Sequence, residues 1–367
     1  MPFTLDPIRV VHRAVHALAV CILFAGSIHA QNVLTVCTIE PSAAGFATVQ
    51  DAIDAATDGD IIQLLPSPIG YGSFVVDKSL HIMGPGHAPQ TQGGLRAEVE
   101  YIEVSANDIT IEGLYINAIQ QVDGFHVADL TARGNRFYGP GRFFESSPQS
   151  VSQGSRNWQA INNVFAPELA PNSYPIVATN NKDTAWTLLN NHIELYWPFQ
   201  RLVAGTMVDG IVAYNLIVGT ESQRLGVFSP TATFHSNVFI YAGPPFNLAD
   251  GCADCNIEHN VFYSAQGDFT DPNPLENNTV NLLPTFLDAD SIPYFDSAAD
   301  YTPAPGSPAV GAGLFGLNAG IGGDLTPFSY RGYPDNLPRL TSVDNLYHIL
   351  PQGAPLEIEV EWSTESE

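Results

Sequence analysis

The feature that most constrains this chain is a short pattern that returns every 21 to 29 residues. Six segments end in Asn, one further residue, then Phe or Ile. They are LTARGNRF (130–137), WQAINNVF (158–165), WTLLNNHI (186–193), GIVAYNLI (210–217), ATFHSNVF (232–239) and CNIEHNVF (255–262). LHIMGPGH (80–87) and ITIEGLYI (109–116) fit the same frame without the asparagine. Three positions before the frame residue stand Ile82, Ile111, Ala132, Ala160, Leu188, Val212, Phe234 and Ile257. Two positions after it stand Ile116, Phe137, Phe165, Ile193, Ile217, Phe239 and Phe262, and the positions between are mostly polar. Such alternation marks strands with one buried face.

A period near 22 residues holds three short strands and three turns, and no helical periodicity fills the gaps. The pattern predicts an all-β chain: a right-handed, single-stranded parallel β-helix of about eight to ten three-strand coils. Coils stacked about 4.8 Å apart place each residue over its counterpart in the next coil. Asn135, Asn163, Asn191, Asn215, Asn237 and Asn260 then form one column. An inward amide at a sharp turn donates and accepts along the stack, so these residues are a structural ladder, not a repeated active site.

The ends differ in character. Arg9 and Arg13 precede an apolar run, Ala14 to Gly26, and Ala30 offers a cleavage point. This reads as a signal peptide over 1–30, and the run falls short of the roughly 20 residues a membrane span needs. The expectation is a secreted or cell-surface protein with no membrane span after cleavage. Loss of 1–30 removes two arginines and Asp6, leaving 11 basic and 37 acidic residues and a net charge of −26. That surface repels nucleic acid, and also a polyanionic sugar unless a cation or a local basic patch intervenes. The β-helix is placed over 31–330, with a cap at about 46–60. Within that cap Thr48 N-caps a short helix from Val49 to Ala56, and Ile61 opens the first strand. Residues 314–338, rich in Gly, Pro and Asn, are expected to loop across the final coil. The alternating Leu356–Trp362 stretch is expected to be a closing strand within a C-terminal region, 331–367.

Cys37, Cys252 and Cys255 remain after cleavage. Export would allow a local Cys252–Cys255 disulfide, whereas zinc would need two further ligands that the spacing does not supply. No metal or cofactor is expected. Asp268, Asp271, Asp288 and Asp290 are loop carboxylates of the kind that hold calcium, without the spacing of a known calcium loop.

Thr48–Ala56, Gly59–Ile62, Tyr71 and Asp77–Gly84 together resemble the N-terminal cap and first coil of the pectin lyase-like β-helix superfamily. Pro284-Thr285-Phe286 followed by DYTPAPGSPAVGAG (300–313) is similar to the closing segment of many exported members. The resemblance implies the fold and a range of activities that includes lyases, hydrolases, esterases and adhesins. Lyases of that superfamily need a cation and a strong base, hydrolases a pair of carboxylates, and no such signature transfers residue by residue.

Candidate chemistry therefore rests on the residues themselves. The outward column two before the frame residue places Glu112 beside Arg133 and His235 beside Glu258. Asp123, His126, Arg136, Arg142 and Glu145 cluster around the long turn 138–157, where Phe143 and Phe144 are placed to stack on sugar rings. The expectation is an exported β-helix that binds or organises extracellular polysaccharide. The alternative is a polysaccharide lyase or glycoside hydrolase of the same fold.

Overall fold

A computed structural model describes residues 31–39, 44–88, 95–139, 142–146, 154–167, 175–179, 182–195, 201–205, 207–219, 232–245, 255–269, 277–289, 294–322, 327–334, 339–340 and 362–363. Ten strands pair in parallel in one sheet, from Val33–Val36 and Ile61–Leu64 through to Thr233–His235 and Asn256–Glu258. Each neighbour in the sheet is one repeat away in sequence. Ile82, Ile111, Ala132, Ala160, Leu188, Val212, Phe234 and Ile257 are register partners in one inward column. The molecule is a parallel β-helix, and the ten rungs of this sheet stack as about seven full turns. Val33–Val36 is a rung that the sequence pattern did not anticipate; it lies before the capping helix and pairs with Ile61–Leu64.

The second sheet has 13 strands, and its inward column runs Ile116, Phe137, Phe165, Ile193, Ile217, Phe239, Phe262 and Val280. Tyr115–Gln121 forks it. The start of that strand pairs with Arg136–Phe137, and its end pairs with Phe144–Glu145, which continues to Val177–Ala178 and Val203–Ala204. Stacked identical ring types sit one rung apart. Trp158 and Trp186 lie 4.8 Å apart, and the Phe137–Phe165 and Phe239–Phe262 pairs each lie 4.7 Å apart. Those separations match the strand spacing of a sheet, so the aromatic columns follow the rungs without distortion.

The amide column closes as a single file. The backbone N–H of each asparagine from Asn135 to Asn237 donates to the Oδ1 of the next, at 2.8–3.0 Å. Each Nδ2 donates to that same oxygen and to a carbonyl of the preceding coil, such as Ala160 for Asn191 at 2.8 Å. The file starts at the Leu114 N–H and ends on a seventh member, Asn278, which accepts from Asn260. Asn278 is followed by Thr279-Val280 instead of a Phe or Ile two residues on, which hid it from the sequence pattern.

The residue before each ladder amide has a left-handed backbone: Gly134, Asn162, Asn190, Tyr214, Ser236, His259 and Asn277, with φ between 53° and 63°. This turn redirects the chain between the two sheets and points the next side chain inward. In the Asn-Asn pairs one amide faces out at the turn and the other joins the ladder. The outer pair also bonds along the stack, Asn190 Nδ2 donating to Asn162 Oδ1 at 2.6 Å.

The N-terminal opening is closed by a helix, Val49–Ala55, whose Val49, Ala52 and Ile53 are buried on the first coils. Thr48 Oγ1 accepts from Asp51 N–H at 3.2 Å, and Lys78 Nζ donates to the carbonyls of Ile53, Asp54 and Ala56 at the other end. Side chains thus meet orphan helix groups at both ends.

The C-terminal region departs from expectation. Residues 314–322 and 327–334 do not cross the final coil; they run back along the stack on the left-handed turn column. Leu314 N–H donates to Ser236 Oγ at 2.8 Å, and Gly322 N–H to Asn190 Oδ1 at 3.2 Å. Asn162 Nδ2 donates to the Pro327 carbonyl at 3.4 Å, and His87 N–H to the Arg331 carbonyl at 2.8 Å. Together with Phe286, Tyr301, Ala309 and Phe328, this strap buries the outer side of the second sheet at Val164, Leu216, Val218, Val238, Ile240 and Val261. The reason is apolar area: an outward column of Val, Leu and Ile needs a cover, and a turn-rich segment without its own periodicity supplies it. Arg339–Leu340 pairs antiparallel with Trp362–Ser363. The rest of the expected Leu356–Trp362 strand, the 1–30 signal segment, Cys252, Asp271 and Asp290 lie outside the described residues. Cys255 is disulfide-bonded, and Cys37 is a buried thiol.

Candidate functional site

With one side of the second sheet covered, the outer face of the ten-stranded sheet remains a long open surface built from strands. One column on it reads His81, Thr110, Thr131, Gln159, Thr187, Ile211, Thr233 and Asn256 in continuous register. All but Ile211 are polar, and all are half-buried or exposed. Strand alternation puts these side chains outward because their neighbours Ile111, Ala132, Ala160 and Leu188 fill the core. The result is a row of hydroxyls and amides repeating at the rise of the stack.

At one end of this face the structure brings Glu112 and Arg133 together, as the register predicts, and adds His81. Glu112 Oε2 accepts from Arg133 Nη2 at 2.8 Å and lies 2.9 Å from His81 Nε2. Burial opposes the charge on Glu112, but the bonds from His81 and Arg133 outweigh it and hold the carboxyl below its usual range. His81 escaped the sequence reading because it meets Glu112 on a diagonal between adjacent columns.

His235 and Glu258 are register partners but bond elsewhere. His235 Nδ1 lies 3.1 Å from Ser236 Oγ, and Glu258 accepts from Asn256 Nδ2 at 2.8 Å. Burial lowers the His235 pKa, against the opposing effect of Glu258, so this imidazole stays neutral near pH 7.

The turn cluster is partly assembled. Arg142 Nη1 donates to Glu145 Oε1 at 2.9 Å. Burial raises the Glu145 pKa, Arg142 opposes the rise, and nearby Asp123 adds to it. Asp123 and His126 are exposed on the neighbouring turn. Arg136 points elsewhere, its guanidinium 5.3 Å from the Phe295 ring and 5.9 Å from the Tyr115 ring. Phe143 and Phe144 correct the expectation of stacking platforms: they are 0% and 1% exposed. Phe143 packs against Phe137 and Phe165, and Phe144 against Trp158 and Trp186. The wide interior of the coil at the sheet fork needs large rings to fill it, so both turned inward.

A buried carboxylate that the sequence reading did not single out, Asp183, accepts from Ser155 N–H at 2.8 Å and from Ser146 Oγ. Its partners are the chain's own turn groups, which gives it a structural task. Asp268 and Asp288 are exposed, and no group of three or more His, Cys, Asp or Glu side chains is poised for a metal among the described residues. No described helix is long and apolar enough to cross a membrane.

The geometry defines a parallel β-helix, a fold class that sheet register alone establishes here. No protein-family model matches the sequence, and neither does any curated protein sequence. Among solved structures, the crystal structure of pectate lyase Pel9A is similar at 11% identity and a TM-score of 0.38, over 84% of this chain and 98% of that one.

Proposed function

We propose that this protein is a secreted or cell-surface β-helix that binds or organises extracellular polysaccharide along the outer face of its ten-stranded sheet. The observation that carries this reading is the half-exposed polar column Thr110, Thr131, Gln159, Thr187 and Thr233. Its repeat, about 4.8 Å, is close to the length of one sugar unit, so an extended polymer meets a polar group at every rung from Thr110 to Thr187, and again at Thr233 beyond Ile211. A net charge of −25 over the whole chain disfavours polyanions, and neutral polysaccharides are the preferred class. Affinity electrophoresis against neutral and acidic polysaccharides tests this. Combined replacement of Thr131, Gln159 and Thr187 by alanine is expected to weaken binding at least tenfold without shifting the melting temperature. Equal affinity in the triple variant, or no polysaccharide retained by the parent protein, removes the proposal.

A second reading, a polysaccharide lyase or glycoside hydrolase, is favoured by one observation, the raised pKa of Glu145 beside Asp123. A carboxyl that holds its proton more tightly than usual, with a second carboxyl nearby, is the kind of pair that acid–base cleavage of a glycosidic bond uses. Reducing-end release and ultraviolet absorbance of unsaturated products are the assays. On this reading Glu145→Gln abolishes product formation; activity unchanged by that substitution would assign cleavage elsewhere.

A further inference from the structure

The strap has one anchoring point unlike its others. His87 is 1% exposed, and neither ring nitrogen has a hydrogen-bond partner. Its backbone N–H holds the Arg331 carbonyl, and the Ala88 N–H donates to the same oxygen at 3.2 Å. Its ring meets the strap at Gly332 and, upstream of the strap, the Phe295 ring. The Phe295 ring lies 5.8 Å away at an edge, and Gly332 approaches so closely that a Cβ there would stand 2.4 Å from His87 Cδ2 and 2.0 Å from the Gly134 carbonyl. Gly332 also has φ of 64°, so only glycine seats here.

The charged groups around this imidazole come from the body of the helix. Arg136 and Arg96 both bear on it, and Arg96 is itself 3.6 Å from Glu98. On the far side of Phe295 lies Glu194, which accepts the Phe295 N–H and is 3.3 Å from His192 Nε2. A neutral imidazole is tolerated in this apolar slot; an imidazolium would sit unpaired beside two guanidiniums.

We propose that His87 is a proton-sensitive latch, which holds the C-terminal strap against the stack while neutral and releases it on protonation. The device is independent of what the outer face of the first sheet binds. Burial, then Arg136 and Arg96, push the His87 pKa from 6.5 to about 3 in the closed state. An open strap restores an ordinary histidine, so the closed state is fully favoured above about pH 6.5 and loses ground progressively as pH falls toward 3. Release uncovers the outward apolar side of the second sheet while the ladder and the interior of the coils stay intact, because the strap contributes to neither.

Hydrogen exchange of the whole protein between pH 7 and pH 4, corrected for the intrinsic pH dependence of exchange, tests the latch. Protection of the strap amides of Leu314, Gly320 and Gly322 is expected to fall at least tenfold, with amides of the ten-stranded sheet unchanged and binding of an apolar-surface dye rising. His87→Phe keeps a ring in the slot and removes the proton site; its strap is expected to stay protected at pH 4. Gly332→Ala is expected to open the strap at pH 7 already, so the device is read even if the His87 variant folds poorly. Strap protection that is flat with pH in the parent protein, an identical acid response in His87→Phe, or sheet amides that lose protection together with the strap would each overturn the proposal.

Discussion

Replacing Asn191 with alanine is expected to lower stability by about 3–5 kcal/mol, among the largest effects of any single polar substitution in the chain. Asn191 sits mid-column with no exposure. Its Oδ1 accepts from the Asn163 backbone N–H at 2.8 Å and from Asn163 Nδ2 at 3.2 Å. Its Nδ2 donates to the Ala160 carbonyl at 2.8 Å and to Asn215 Oδ1 at 2.9 Å. Alanine strands the Asn163 main-chain N–H in the core, worth about 1–3 kcal/mol when left unpaired, and takes one of its donors from the Ala160 carbonyl. The cavity left by the amide adds to this. Asn278→Ala removes a half-buried terminal member and is expected to cost about 1 kcal/mol. Denaturant midpoints for the two variants measure the contrast. Equal losses would mean that position in the file carries no weight, and the ladder would not be a cooperative element.

The second large effect concerns Phe143. Its truncation to alanine is expected to cost about 3–5 kcal/mol of stability, because a fully buried ring packed against Phe137 and Phe165 leaves a cavity that rigid rungs cannot close. The substitution is expected to leave polysaccharide affinity unchanged when binding is measured well below the melting point. Calorimetry and affinity electrophoresis on the same sample separate the two outcomes. A loss of affinity with an unchanged melting temperature would return Phe143 to the surface role that its place in a long turn suggested.

Phe143 also shows why the candidate site was harder to read than the fold. Ala160 and Leu188 announce their inward position because counterparts stand above and below them at the same frame position. Phe143 and Phe144 belong to the branch of the second sheet that begins at the Tyr115–Gln121 fork and has only short strands, Phe144–Glu145, Val177–Ala178 and Val203–Ala204. Two-residue strands in turns of unequal length carry no period, so inside and outside could not be told apart there. Glu112 and Arg133 were legible as a pair because they share a column; His81 joins them diagonally, across a register that only coordinates supply.

By itself the sequence determined the winding of this chain: the strand faces, the six asparagines in file, the capping helix after Thr48. Each coil repeats the environment of the last, so a residue's neighbours one rung away can be found by counting along the chain. Only the tertiary structure decided where the described residues between 294 and 334 go, and with them which face is covered and which is open. Phe295 meets Glu194 across 101 positions, and Gly332 fits against Gly134 and His87. A segment with no periodicity has no register to count. Its place is set by shape, by where a bare glycine backbone can approach a turn and where an apolar column still lacks a cover.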